Sequence, residues 1–153
     1  MSEYLLDRED STFQEAALRK EKTFLLYTAG FSGIQKFIYT VSTDGALKSL
    51  RSRSFFLELL MEHYVDELLA ACQLSRVNRL FHGGGQCHLL LPKTEAVEEA
   101  LAVWNRKFNN WLIQEFGISL YMDHGWVACS GNDLVNEPAA ESPYEKVFCN
   151  LNQ

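Results

Sequence analysis

Between Gly30 and Arg53 the chain collects residues of one chemical kind: a Ser32-Gly33 pair and four cations, Lys36, Lys48, Arg51 and Arg53, against one acid, Asp44. The chain as a whole has a formal net charge of −6, so this positive stretch is local. An apolar run, Phe24 to Ala29, precedes it and a helical pattern follows. A strand that ends in a small-residue turn and opens a helix presents unpaired N–H groups and the positive end of a helix dipole, which suits a phosphate. Lys48 and Arg51 stand three residues apart, so both can face the same anion, and Gln35 is a further candidate ligand. Arg53 points away from them and is expected in a salt bridge within a larger subunit. The plainer reading is a glycine turn followed by a solvated helix face. A second small-residue cluster, Gly83-Gly84-Gly85, exceeds what a two-residue hairpin requires. Close approach by a ligand or by a second domain would explain the surplus.

The elements that must position these residues follow from periodicity. Thr23 to Ala29 is too short and too apolar for a helix between breakers and reads as a central strand. Ile34 to Val41 has 3/4 spacing and reads as a short helix, broken by Ser42 to Gly45. Ala46 to Cys72 continues as a long helix with Leu50, Leu57, Leu60, Tyr64, Leu68 and Ala71 on one face. Val77 to His82 and Gln86 to Leu91 are two strands flanking the glycines. Thr94 is placed as the N-cap of a helix with an apolar stripe of Val97, Leu101, Trp104, Phe108, Trp111 and Leu112, ending at Phe116 with Gly117 as its C′ residue. Ile118 to Cys129 is the last strand. The predicted domain is residues 23–129, preceded by a linker or short helix (1–22) and followed by a loop and the start of a helix (130–153).

This β-α-β-β-α-β order predicts an α+β, ferredoxin-like sheet in the order 4-1-3-2 with the helices on one face. Gly30 to Gly33 and Gly83 to Gly85 should then converge. Polymerase and cyclase palms hold two metal ions at that corner with carboxylates from strand one and from the hairpin. Here those places hold Gly30 and Gly85-Gln86, which cannot neutralise two divalent ions. The corner has palm geometry without palm chemistry.

Composition closes off other classes. A length of 153 residues suits one domain, and a pI near 5.2 argues against nucleic-acid binding by average charge. Cys72, Cys87, Cys129 and Cys149 show no CxxC spacing and read as reduced thiols, Cys72 and Cys87 in the core. The histidines at 63, 82, 88 and 124 do not make a metal set, since neighbours such as Cys87 and His88 point to opposite faces of a strand. Neither a G-x-S-x-G elbow nor a Walker loop occurs, and Trp104 and Trp111 read as core.

Five separated motifs, GFSGIQKFIY, ALKSLRSRSFFLELL, RLFHGGGQCHLLLP, WVACSGNDL and SPYEKVF, agree in order and spacing with one family. The chain resembles the first palm (cyclase-like) domain of the large subunit of type III-A CRISPR interference (Csm) complexes, over roughly Phe24 to Phe148. The resemblance implies a parent subunit with an HD nuclease domain and two palms, the second carrying a GGDD hairpin that makes cyclic oligoadenylate from ATP for antiviral defence. This chain would be the non-catalytic, nucleotide-binding palm, inert in isolation. Its contacts to ATP would be Ser32, Gly33, Gln35, Lys48, Arg51, Gly83, Gly84 and Gly85, with no catalytic or metal-binding residue. Mg or Mn would be held by the second palm. Implied partners are that palm, other Csm subunits, CRISPR RNA and target RNA, in the cytoplasm and without a membrane. The family often has Asp at the place of Gly30. The alternatives are a ferredoxin-like RNA-binding or assembly module, or a stand-alone nucleotidyltransferase.

Overall fold

The apolar run at Phe24 has hydrogen-bonded neighbours on both sides, which makes it the centre of the molecule. The computed structural model describes residues 19–39 and 46–135. Strand β1 (Phe24–Ser32) is followed by helix α1 (Ile34–Tyr39), helix α2 (Ala46–Ala71), strands β2 (Arg79–Gly83) and β3 (Gln86–Pro92), helix α3 (Glu95–Phe116) and strand β4 (Tyr121–Cys129). The sheet order is β2-β3-β1-β4 with every pair antiparallel, which is the expected 4-1-3-2 order read from the other edge.

Alternation along β1 divides the sheet into two faces. Leu25, Tyr27, Ala29 and Phe31 pack with Leu89 and Leu91 of β3 against Leu57, Tyr64 and Leu68 of α2 and Leu101, Phe108 and Leu112 of α3. Among the described residues, the opposite face is covered at one end only. There Leu26 and Cys129 are buried with Leu90, Val127 and Leu134. The short turn at Asn132–Leu134 lies over them, tied to the chain ahead of β1 by Asn132 N–H to the Arg19 carbonyl, 3.1 Å.

The termini of α3 are as the sequence indicates. The Thr94 hydroxyl accepts Val97 N–H at 3.3 Å, and Gly117 takes φ 62° at the other end. One polar group interrupts its apolar stripe. Asn105 is buried, and its Oδ1 accepts from the hydroxyls of Tyr27 (2.8 Å) and Tyr64, which lie 2.5 Å from each other. Burial keeps both tyrosines protonated far above their usual range. Asn109, one helical turn further on, binds both the N–H and the carbonyl of Met122 (2.7 and 2.9 Å), pinning β4 to α3.

Several boundaries differ from expectation. β1 runs on to Ser32 instead of stopping at Ala29, because Gly30, Phe31 and Ser32 pair with Asp123, Met122 and Tyr121 of β4. Val77 is not in β2 but in an exposed turn, Arg76–Asn78. Ile118 is likewise in a turn, Gly117–Ser119, ahead of β4. Ala71, assigned to the inner stripe of α2, is exposed. Within the domain Arg53 has a local partner. It donates to the Phe37 carbonyl at 2.5 Å and stands over the Phe37 ring, fastening α1 to α2. The predicted end of the first helix, the Ser42 to Gly45 break, Cys149, the SPYEKVF motif and most of the two flanking segments lie outside the described residues.

Candidate functional site

The two glycine clusters meet. Gly30 is the register partner of Gln86 in β3, and Phe31 N–H donates to the Gly85 carbonyl at 2.9 Å. Gly83 belongs to β2, opposite Gln86, so the turn itself is Gly84-Gly85. Their φ values of 63° and 77° are those of a two-residue primed turn, which glycine adopts without strain. A Cβ on Gly85 would lie 2.7 Å from Ile34 Cδ1, so α1 packs directly beneath the turn. Gly83 is different. Its φ is not positive, and a Cβ there would meet only the Phe81 ring at an ordinary 3.6 Å. Nothing inside the described domain requires glycine at that position.

Gly33 has an internal reason to be glycine. Its φ is 88°, and a Cβ would stand 2.1 Å from the Ser119 carbonyl oxygen, so the turn before β4 fills the space beside it. Its own carbonyl accepts Phe37 N–H at 3.0 Å and starts α1. Ser32 is the last residue of β1, half-buried beside Tyr121. Gln35 is exposed on α1. Lys48 and Arg51 are exposed on the first turns of α2, and neither side chain is paired among the described residues. The fold thus brings Ser32, Gly33, Gly83, Gly84 and Gly85 into one corner. It places Lys48 and Arg51 on the helix that leads away from it.

The end of the outer sheet face that no described residue covers carries a row across three strands: Gln86, Gly30 and Asp123. One carboxylate, exposed, stands in that row. Two divalent ions need several, and among the described residues no group of three or more His, Cys, Asp or Glu could hold a metal. In the next row Thr28 pairs with His88 and Gly125, and the Phe81 ring lies 5.5 Å from His88. Burial lowers the His88 pKa from its usual 6.5, favouring the neutral ring. Beneath this face Cys87 is buried, its thiol pushed up to about 12, and Cys129 is buried as well, so neither is a nucleophile.

Two features were missed from the sequence. Glu58 on α2 accepts Gly84 N–H at 3.1 Å, holding the hairpin tip from the helix side. A signal existed: Glu58, Glu62 and Asp66 recur every fourth residue, one line on the helix. The last two are engaged by Arg76 and Arg79. The buried Asn105 could have been noticed as a polar residue on an apolar stripe.

A four-stranded antiparallel sheet with both long helices on one face, and a glycine hairpin set against the end of its first strand, defines a palm-type domain. The family model described as Csm1 subunit domain B matches residues 23–153. The chain belongs to that family, the first palm of the large subunit of type III-A CRISPR systems. It is 45% identical over 134 residues to a Mycobacterium tuberculosis protein, the CRISPR system single-strand-specific deoxyribonuclease Cas10/Csm1 (subtype III-A), covering 88% of this chain and 16% of that one. The crystal structure of a Csm1–Csm4 cassette in complex with pppApA superposes with a TM-score of 0.82 at 36% identity, over 91% of this chain and 19% of that one. The cassette in complex with one ATP gives 0.79 at 37% identity, over 88% of this chain and 18% of that one. The chain therefore spans less than a fifth of the length of these relatives.

Proposed function

We propose that this chain is the non-catalytic, nucleotide-binding palm of a two-palm subunit that joins ATP into cyclic oligoadenylate. The observation that carries this reading is the Gln86–Gly30–Asp123 row: a palm corner with a single carboxylate. Such a corner can place a nucleotide but cannot hold the metal pair that activates a 3′ hydroxyl. The metal chemistry, with Mg or Mn, belongs to the second palm with its GGDD hairpin. In this chain the Ser32 hydroxyl and the Gln86 amide offer hydrogen bonds, Gly83 leaves the backbone open to close approach, and Lys48 and Arg51 supply positive charge. Crystal structures of relatives in complex with pppApA and with one ATP support the ligand class. Csm4, the other Csm subunits, CRISPR RNA and target RNA are the proposed partners of the parent subunit, in the cytoplasm. Among the described residues no helix is long and apolar enough to cross a membrane.

The test belongs in the parent two-palm subunit. Lys48→Ala and Arg51→Ala should each weaken ATP binding by about 1–2 kcal/mol, the scale of a charge-assisted hydrogen bond. Lys93→Ala, which removes a cation at the far end of β3, is the control and should leave affinity unchanged. Arg53 cannot serve as that control, because it fastens α1. Equal losses at all three positions would indicate general electrostatics. No loss at Lys48 and Arg51 would remove them from the site.

A further inference from the structure

Resting on the nucleotide-palm reading, we infer that Glu58 is a positioning residue, whose carboxylate sets the Gly84-Gly85 turn against the end of β1. Three elements meet on this turn. Phe31 of β1 donates its N–H to the Gly85 carbonyl at 2.9 Å, and Ile34 of α1 lies under Gly85. Both of these hold Gly85. Gly84 has open space where a Cβ would be, and the Glu58 carboxylate on its N–H is the side-chain restraint it has among the described residues. Two adjacent glycines have the widest choice of backbone conformation of any pair, so the shape of this turn must be imposed from outside it. A carboxylate accepting a backbone N–H is a charge-assisted bond, well suited to that task.

Two consequences follow for the corner. α2 carries Glu58 near its middle and Lys48 and Arg51 on its first turns, so the hairpin tip and the cations are tied to one rigid helix. Because a carboxylate already occupies the Gly84 amide, the tip does not cradle phosphate. Its side of the corner meets the neutral part of a nucleotide or the backbone of a second palm, with Gly83 and Gln86 kept in register beside Gly30.

The experiment uses the parent two-palm subunit with Glu58→Ala and Glu58→Gln. Amide exchange over 83–86 is read by mass spectrometry, and ATP-dependent oligoadenylate synthesis is resolved into kcat and KM. Glu58→Ala should speed exchange of the turn about tenfold, the weight of one such bond, and lower kcat/KM by a similar factor. Glu58→Gln keeps an acceptor oxygen but loses the charge, and should fall between the parent and Glu58→Ala on both readouts. Unchanged exchange in Glu58→Ala would overturn the inference; an intermediate loss in Glu58→Gln fits it, since the amide keeps the acceptor but not the charge, whereas exchange in Glu58→Gln faster than in Glu58→Ala would contradict an acceptor role. A parent subunit that makes no oligoadenylate would sink the nucleotide-palm reading, while the exchange comparison would still decide whether Glu58 holds the turn.

Discussion

Alanine placed at each corner glycine in turn should separate backbone strain from crowding. At Gly33 both act. The left-handed φ of 88° costs an L-residue about 1–2 kcal/mol. The new Cβ also starts 2.1 Å from the Ser119 carbonyl oxygen, a backbone atom that moves only if the turn before β4 and the fully buried Leu120 move with it. Overpacking of that kind adds about 1–3 kcal/mol, so Gly33→Ala should lose about 2–5 kcal/mol in all. At Gly84 the φ of 63° strains the backbone but nothing lies within 4 Å, so Gly84→Ala should lose only the backbone part, about 1–2 kcal/mol. Gly83→Ala faces neither obstacle and should stay within about 0.5 kcal/mol of the parent. Urea unfolding followed by far-UV circular dichroism, with midpoints compared at a common slope, gives all three values. The reasoning fails if Gly33→Ala loses no more than Gly84→Ala. Gly83→Ala has a second use. A chain of unchanged stability that no longer supports oligoadenylate synthesis in the parent subunit would show that this glycine serves a contact outside the domain.

Two further outcomes are expected. Asn105→Leu keeps the volume but removes the acceptor shared by two buried hydroxyls, leaving them only each other, so that one O–H goes unpaired, and should cost about 1–3 kcal/mol; adding Tyr64→Phe should return part of that loss, and simple additivity in the urea midpoints would refute the shared network. Asp133 accepts hydrogen bonds from the Ser130 N–H and hydroxyl, both 2.8 Å, which hold its carboxyl below the ordinary 3.8. A depressed folded-state pKa stabilises above the unfolded value and is lost as pH falls through the folded one. Asp133→Asn should therefore be less stable than the parent at neutral pH and indistinguishable from it well below pH 3.8, whereas a constant gap in denaturation midpoints across that range would contradict the assignment.

The sheet order was legible because each strand has a local apolar signature and right-handed crossovers leave few ways to connect them. The ends of the strands were not. Gly30 is a breaker by its own preferences, and pairing with Gln86 and Asp123, both far along the chain, keeps it in β1. Val77 and Ile118 are apolar yet exposed, because both fall in short turns that carry the chain into the next strand. The candidate corner was foreseen as a convergence of glycines, but not which glycines the fold itself consumes. Gly33, Gly84 and Gly85 are required by backbone angle, and Gly33 and Gly85 also by the neighbours packed against them, while Gly83 is not. The contacts of Glu58 and Arg53 were not foreseen because each ends on a backbone atom of another element, and spacing gives the helix line a residue lies on but not the backbone group it meets.

The central position of β1 has a kinetic side. Its Leu25, Leu26 and Tyr27 leave the ribosome before either neighbouring strand exists, and Phe24 finds its partners only when Pro92 and then Cys129 have been made. Of the four strands of this sheet, the one synthesised first is thus paired on both edges only when the one synthesised last arrives. Closing those two long loops raises the contact order, which slows folding and keeps an apolar segment waiting. A nascent chain in that state is a natural client for a chaperone until β4 arrives.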